Sequence, residues 1–211
     1  MKKILDRGLA VSVLLCLLPT VAGLLLYNRL PEQVAIHFQA DGTPDNFVPR
    51  AIAVFLLPVL LALLQIVVYT VQTHDPSRQN AARMLSLMGK WIVPAIALFA
   101  QAATLWYAVV GEMNISMYVH LGIGLMLLVC GNYLPKCRQN YTVGIKLPWT
   151  LASADNWNRT HRLGGYIWII GGFLFALNSF WQWIWADIVL IVLLALIPTV
   201  YSFLLYRKEG S

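Results

Sequence analysis

Charge is what this chain has least of: 11% of its 211 residues are charged and 59% are hydrophobic. A soluble domain carries roughly 25% charged and about 45–50% apolar residues, so a water-soluble globule is excluded. Cysteine is scarce too. Cys16, Cys130 and Cys137 are the only three, without CxxC or mixed His/Cys ligand spacing, so neither a disulfide framework nor a metal centre is expected. No span centre holds Asp, Glu, Lys or Arg, which argues against a pump needing intramembrane proton or ion relays. The chain also lacks H-E-x-x-H, G-x-S-x-G and paired intramembrane carboxylates, so neither an enzyme nor a cofactor is expected.

What is present is apolar sequence in span-length blocks. A membrane-crossing helix takes about 20 mostly apolar residues, and six stretches qualify: 8–27, 51–71, 91–110, 115–134, 164–184 and 186–206. None alternates as a barrel strand does, and a span must satisfy its backbone internally, so helices fit. The first stretch runs on to Tyr27, longer than a secretory h-region, and is expected to stay as a span. The expected fold class is all-α: a polytopic membrane protein of six transmembrane helices, with an ordered first outer loop and an amphipathic cytosolic segment. Two halves are expected, 1–112 with a cap loop at 28–50, and 113–211 with a cytosolic loop at 136–163.

The net charge of +6 reads as topology rather than as a nucleic-acid surface. Thirteen basic residues lie at the termini and in the second and fourth loops, whereas the other face has only Arg29 and Arg50. The positive-inside rule then places both termini in the cytosol and the 28–50 loop outside. Glu32, Asp41, Asp45, Glu112 and Asp187 are expected on the outer side, making it net acidic.

Inside the spans, Pro19, Pro58, Pro94 and Pro198 each remove a backbone donor. Gln65, Gln101, His120 and Asn178 are the intramembrane polar residues, and His120 is expected to be interfacial or hydrogen-bonded rather than a relay. The glycines at 122, 124, 164, 165, 171 and 172 are expected to allow close helix approach, and Trp181, Trp183 and Trp185 to form an aromatic belt.

Two loops carry most of the information. In the outer one, Val34, Ile36 and Phe38 alternate as in a strand and Asp41-Gly42 marks a turn, between Pro31 and Pro44. His37, Asp41 and Asp45 lack helical ligand spacing there, and a histidine bonded to loop backbone is favoured over a metal site. In the inner loop, Ser153 is placed to N-cap a helix with Asp155 in its first turn. Trp157 and His161 then share one side of that helix, as do Asn158 and Arg162. The residues alone leave two options for this loop: a basic lipid anchor or a docking surface for a cytosolic protein.

The inner stretch includes Gly131-Asn132, Leu134-Pro135-Lys136, Asn140, Gly144-Ile145 and Pro148-Trp149-Thr150-Leu151. It continues with Ser153, Trp157, Thr160-His161-Arg162 and Gly164-Gly165. This pattern resembles the SdpI family of bacterial toxin-immunity membrane proteins. Leu30-Pro31, His37-Phe38, Gly42, Pro44-Asp45 and Arg50 resemble the domain of unknown function that often precedes it. One departure is Lys146-Leu147 where the family usually has Arg-Thr, and lysine lacks the bidentate geometry of arginine.

The resemblance implies a plasma-membrane protein that protects against a secreted peptide toxin and holds a cytosolic helix-turn-helix autorepressor at the membrane. Toxin-contact candidates are His37, Phe38, Asp41, Asp45 and Arg50. Partner-contact candidates on the inner face are Asn140, Lys146, Trp149, Trp157, His161 and Arg162. The alternative is a passive channel or small-solute transporter, which would use the four prolines to surround a polar cavity.

Overall fold

The computed structural model describes residues 7–39, 42–74 and 83–209. Seven helices and one hairpin are found among them: α1 Arg7–Leu26, β1 Gln33–Phe38, β2 Pro44–Pro49, α2 Arg50–His74, α3 Arg83–Val110, α4 Ile115–Tyr133, α5 Pro148–Ala152, α6 Ala154–Asn178 and α7 Ile184–Glu209. The chain is an all-α polytopic membrane protein. Five helices are long and apolar enough to cross a bilayer, namely α1, α2, α3, α4 and α7. The expected count of six is not reached on that measure because α6 is apolar only from Leu163 onward. Its first turns carry Asp155, Arg159 and Arg162.

Two compact units are found. One comprises Met1–Thr73 with Leu87–Ser116, and the other His74–Ser86 with Met117–Ser211. In the first, Leu30, Val34, Ala53, Val54 and Leu105 form one buried cluster, and Cys16, Ala62, Val93 and Ala97 another. Outward faces of the helices are apolar as well, with Leu25, Val67, Leu125 and Ile170 well exposed, as expected of surfaces that meet lipid.

Two of the span prolines are compensated by donors from a neighbouring helix. Pro94 cannot donate to the Lys90 carbonyl four residues back, and Gln65 of α2 donates to that carbonyl at 2.9 Å. Pro198 leaves the Leu194 carbonyl in the same state, and the Trp168 indole donates to it at 3.3 Å. Gln101 reaches the Ala53 carbonyl at 3.0 Å. At Pro94 and Pro198 a side-chain donor from a neighbouring helix thus repairs the backbone, as an interrupted helix in lipid requires, whereas Gln101 bonds to a carbonyl that no proline frees.

A double-mutant cycle tests this compensation. Gln65→Leu is expected to cost about 1 kcal/mol, within the range for interhelical hydrogen bonds in lipid. The same change beside Pro94→Ala is expected to cost less, because alanine restores the backbone donor. Thermal unfolding in detergent measures both, and strict additivity would show that Gln65 does not compensate for Pro94.

In the second unit, glycines set the spacing between α4 and α6. A Cβ on Gly124 would lie 2.7 Å from the Gly172 carbonyl oxygen, and one on Gly131 would lie 2.8 Å from that of Gly165. Gly122 does not share this role, since nothing lies within 4 Å of the Cβ it lacks.

Candidate recognition surfaces

The outer cap begins where α1 stops. A single 3-10 turn, Tyr27–Arg29, leads to Leu30, and β1 and β2 then pair antiparallel with Gln33 opposite Pro49 and Phe38 opposite Pro44. The register slips between Ala35 and Phe38. A bulge of this kind re-aims side chains, and strict alternation is lost: Val34 and Ala35 are both buried while Ile36 is exposed. Gly42, at φ +84°, closes the turn with its N–H on the Gln39 carbonyl. The Arg50 N–H bonds to the Glu32 carbonyl at 3.0 Å and ties the hairpin's base to α2.

His37 and Asp45 meet across the bulge, with Nδ1 2.6 Å from the carboxylate. The partner is thus a side chain rather than the loop backbone expected above. Both groups are open to solvent, His37 by 66% and Asp45 by 33%, so the pair contributes about 0–1 kcal/mol to stability and stays available to a ligand. Phe38 turns inward, edge-on to Tyr107 at 5.0 Å, and the Arg50 guanidinium lies over the Tyr27 ring at 4.9 Å. Asp41 lies outside the described residues. Two residues missed from the sequence stand out on the cap surface, Ile36 and Phe47, each more than 40% exposed. Strand alternation counts Ile36 with Val34, and only the bulge separates them.

The inner loop is a strap folded onto the start of α6. Ser153 caps that helix as expected, its hydroxyl accepting the Asn156 N–H at 3.2 Å. Trp157 and His161 stack at 3.9 Å between centroids and are both 0% exposed. The indole N–H donates to the Cys137 carbonyl at 2.8 Å, fixing one end of the strap. His161 fixes the other: its Nε2 accepts the Ile145 N–H at 2.9 Å, and its Nδ1 donates to the Trp157 carbonyl at 2.8 Å. One nitrogen donating and the other accepting defines a neutral imidazole. Burial lowers the His161 pKa to about 4, opposed by the bond to the Trp157 carbonyl.

The rest of the strap is braced in the same way. The Asn140 carboxamide accepts the N–H groups of Thr142 and Val143 and donates to the Arg138 carbonyl. The Lys146 ammonium donates to the carbonyls of Tyr141 and Thr142. Thr150 and Leu147 close a reciprocal bond at the start of α5, and the Gln139 amide donates to the Thr150 and Leu151 carbonyls. Trp149 docks on α7, donating to the Ser202 hydroxyl at 2.9 Å and stacking on Tyr206.

Of the six inner-face candidates, Asn140, Trp157 and His161 are buried inside the strap, and Trp149 is half-buried against α7. Lys146 and Arg162 are exposed. The shared helix side of Trp157 and His161 is confirmed, but it faces the strap rather than a partner, because two aromatic rings at i, i+4 bury best under a covering loop.

Asp187, counted from the sequence among the outer-side carboxylates, is 7% exposed and bonds to His120 of α4 at 2.9 Å and to Asn178 of α6 at 2.8 Å. His120 is hydrogen-bonded, as expected. Among the described residues no group of three His, Cys, Asp or Glu side chains is placed to hold a metal.

Residues 136–202 match the SdpI/YfhL protein family. This part of the chain is similar to that family. It takes in the whole strap, α5, α6 and most of α7. Residues 14–62 match a domain of unknown function that contains all of the cap. Over 205 residues the chain is 28% identical to the Immunity protein SdpI of Bacillus subtilis (strain 168), covering 95% of this chain and 97% of that protein. No solved structure matches it.

Proposed function

We propose that this protein protects a bacterial cell against a secreted peptide toxin, which it meets at the cap, and that it passes the event to a cytosolic protein at the strap. The observation that carries this reading is the near full-length likeness to an immunity protein, with each matched domain holding one ordered non-membrane structure. In this reading the cap faces outward and both termini inward, because thirteen of the fifteen basic residues then lie in the cytosol. In this reading α6 makes the sixth crossing with the apolar part that begins at Leu163.

On the outer face the exposed His37–Asp45 pair beside Ile36 and Phe47 offers a polar centre with apolar flanks, suited to an amphipathic peptide. On the inner face, contact falls to the exposed cations Lys146 and Arg162, together with the exposed Arg138 and Arg159. Trp157, His161 and Asn140 hold the strap in shape beneath them.

Expression in a toxin-sensitive host, challenged with secreted peptides encoded at the same locus, tests the reading. Survival is expected with the intact chain, and His37→Ala or Asp45→Ala is expected to lower it severalfold while the amount of protein in the membrane stays constant. Unchanged sensitivity to every such peptide would overturn the immunity reading. Full protection by both cap variants would move the contact elsewhere.

A further inference from the structure

The turn between α6 and α7 has its polarity inverted for a loop in water. Phe180, Trp181, Trp183 and Trp185 are 62–76% exposed, while the polar groups around them point inward. The Asn178 amide donates to the Trp183 carbonyl at 3.1 Å and accepts the Trp183 N–H at 3.2 Å. Gln182 takes a left-handed φ of 54° with its N–H on the Asn178 carbonyl at 2.6 Å, and its side chain reaches the Ser179 carbonyl.

Beneath this turn lies the buried clamp. The Asp187 carboxylate, in the first turn of α7, accepts from His120 on α4 with one oxygen and from Asn178 with the other. The Phe175 ring lies 6.0 Å from the imidazole. Three helices are thus tied at one point, and the same asparagine shapes the aromatic turn.

Four large aromatic side chains left in water are strongly unfavourable, so something apolar covers them. The level of the turn identifies it. Ile184 begins α7, a helix of membrane-crossing character, so the turn sits where a span leaves the hydrocarbon. The α6 side supports the same placement. Its apolar run, 163–177, covers 15 residues, or about 22 Å, against a hydrocarbon core of about 30 Å. A helix too short for the bilayer needs an interfacial anchor at its end.

We propose that residues 180–185 are a preorganised seat for the lipid headgroup interface, and that the His120–Asp187–Asn178 clamp is the positioning device that aims it and so sets the depth of α6. A belt of indoles at a helix end requires only the right depth. Here the chain also commits a buried His–Asp hydrogen bond and a left-handed residue to the turn, which fixes its direction. The inference is independent of the toxin reading and stands or falls without it.

The test uses the full chain, with its three cysteines replaced by alanine, in vesicles of phosphatidylethanolamine and phosphatidylglycerol. A nitroxide is attached through Trp181→Cys, or through Asn158→Cys on the exposed polar turn of α6 as a water-side reference. Collision with oxygen, which partitions into lipid, is compared with collision with a water-soluble nickel chelate. The oxygen-to-nickel ratio at 181 is expected to be severalfold above that at 158. Asp187→Ala is expected to bring it down toward the reference, and His120→Gln, which retains a donor, to preserve most of it.

If Asp187→Ala fails to insert, His120→Ala removes one arm of the clamp and serves as the variant. A label at 181 as open to nickel as the reference would overturn the seat. Inaccessibility to both reagents would do so too, since it would mean a protein partner or a second copy covers the turn. An unchanged ratio in the clamp variants would overturn the positioning role.

Discussion

Gly172→Ala is expected to cost about 3 kcal/mol, at the upper end of the usual range for overpacking, and to deplete the protein from the membrane. The added Cβ would lie 2.7 Å from the Gly124 carbonyl oxygen and 2.8 Å from the Leu128 backbone nitrogen. Backbone atoms in two regular helices cannot swing aside as a side chain can, so α4 and α6 would have to separate. Separation at this point would also strain the second close approach, where a Cβ on Gly131 would lie 2.8 Å from the Gly165 carbonyl oxygen. Helix association in lipid depends on packing of this kind, because lipid is as apolar as the helices and gives no hydrophobic drive between them. Gly122→Ala is the control on the same helix pair. It meets nothing within 4 Å and gains helix propensity, so its stability is expected to be unchanged or slightly raised. Unfolding of both variants in the same detergent decides the matter, and equal stability would refute the close-approach account.

Opening the strap is the second large effect. Gly144 sits at φ +127°, and a Cβ there would lie 2.4 Å from His161 Nε2 and 2.9 Å from the Trp157 ring. Gly144→Ala therefore adds backbone strain of about 1–3 kcal/mol and displaces the atom that accepts the Ile145 N–H. The strap is expected to lift, freeing the backbone beside the already exposed Arg138 and Lys146 for cleavage by trypsin at a rate at least about tenfold above that of the parent chain, as local opening rises by more than 1.4 kcal/mol.

Acid is expected to act in the same direction. His161 is neutral when buried, with its pKa lowered from 6.5 to about 4, so between those values the opened state binds a proton that the closed state does not. Stability of the strap is complete above about pH 6.5 and falls as pH drops toward 4, by about 3 kcal/mol in all. His161→Phe, which keeps a ring but loses the acceptor, is expected to weaken the strap at neutral pH and to flatten this dependence. A cleavage rate that does not change between pH 7 and 5 in the parent chain would remove His161 from the lock.

The sequence by itself determined the membrane class, the helical spans to within a few residues at most ends, an ordered cap with its first strand and the Ser153 cap. These follow from rules that act over a few residues: apolar run length, turn chemistry and helix capping. It also identified the polar and small residues that matter inside the spans, Gln65, Gln101, His120, Asn178 and the paired glycines. Only the tertiary structure decided what each one does. Gln65 gains its role because Pro94, on another helix, leaves the Lys90 carbonyl free. Asp187, near the end of a span, has the local appearance of a surface carboxylate, and it is buried because His120 and Asn178 come from two other helices to meet it. Trp157 and His161 share a helix side whether that side meets a partner or a folded loop. The choice was made by Gly144, whose missing side chain lets the strap reach the imidazole. Local chemistry fixes which groups need a partner, and packing between distant segments fixes which partner each one finds.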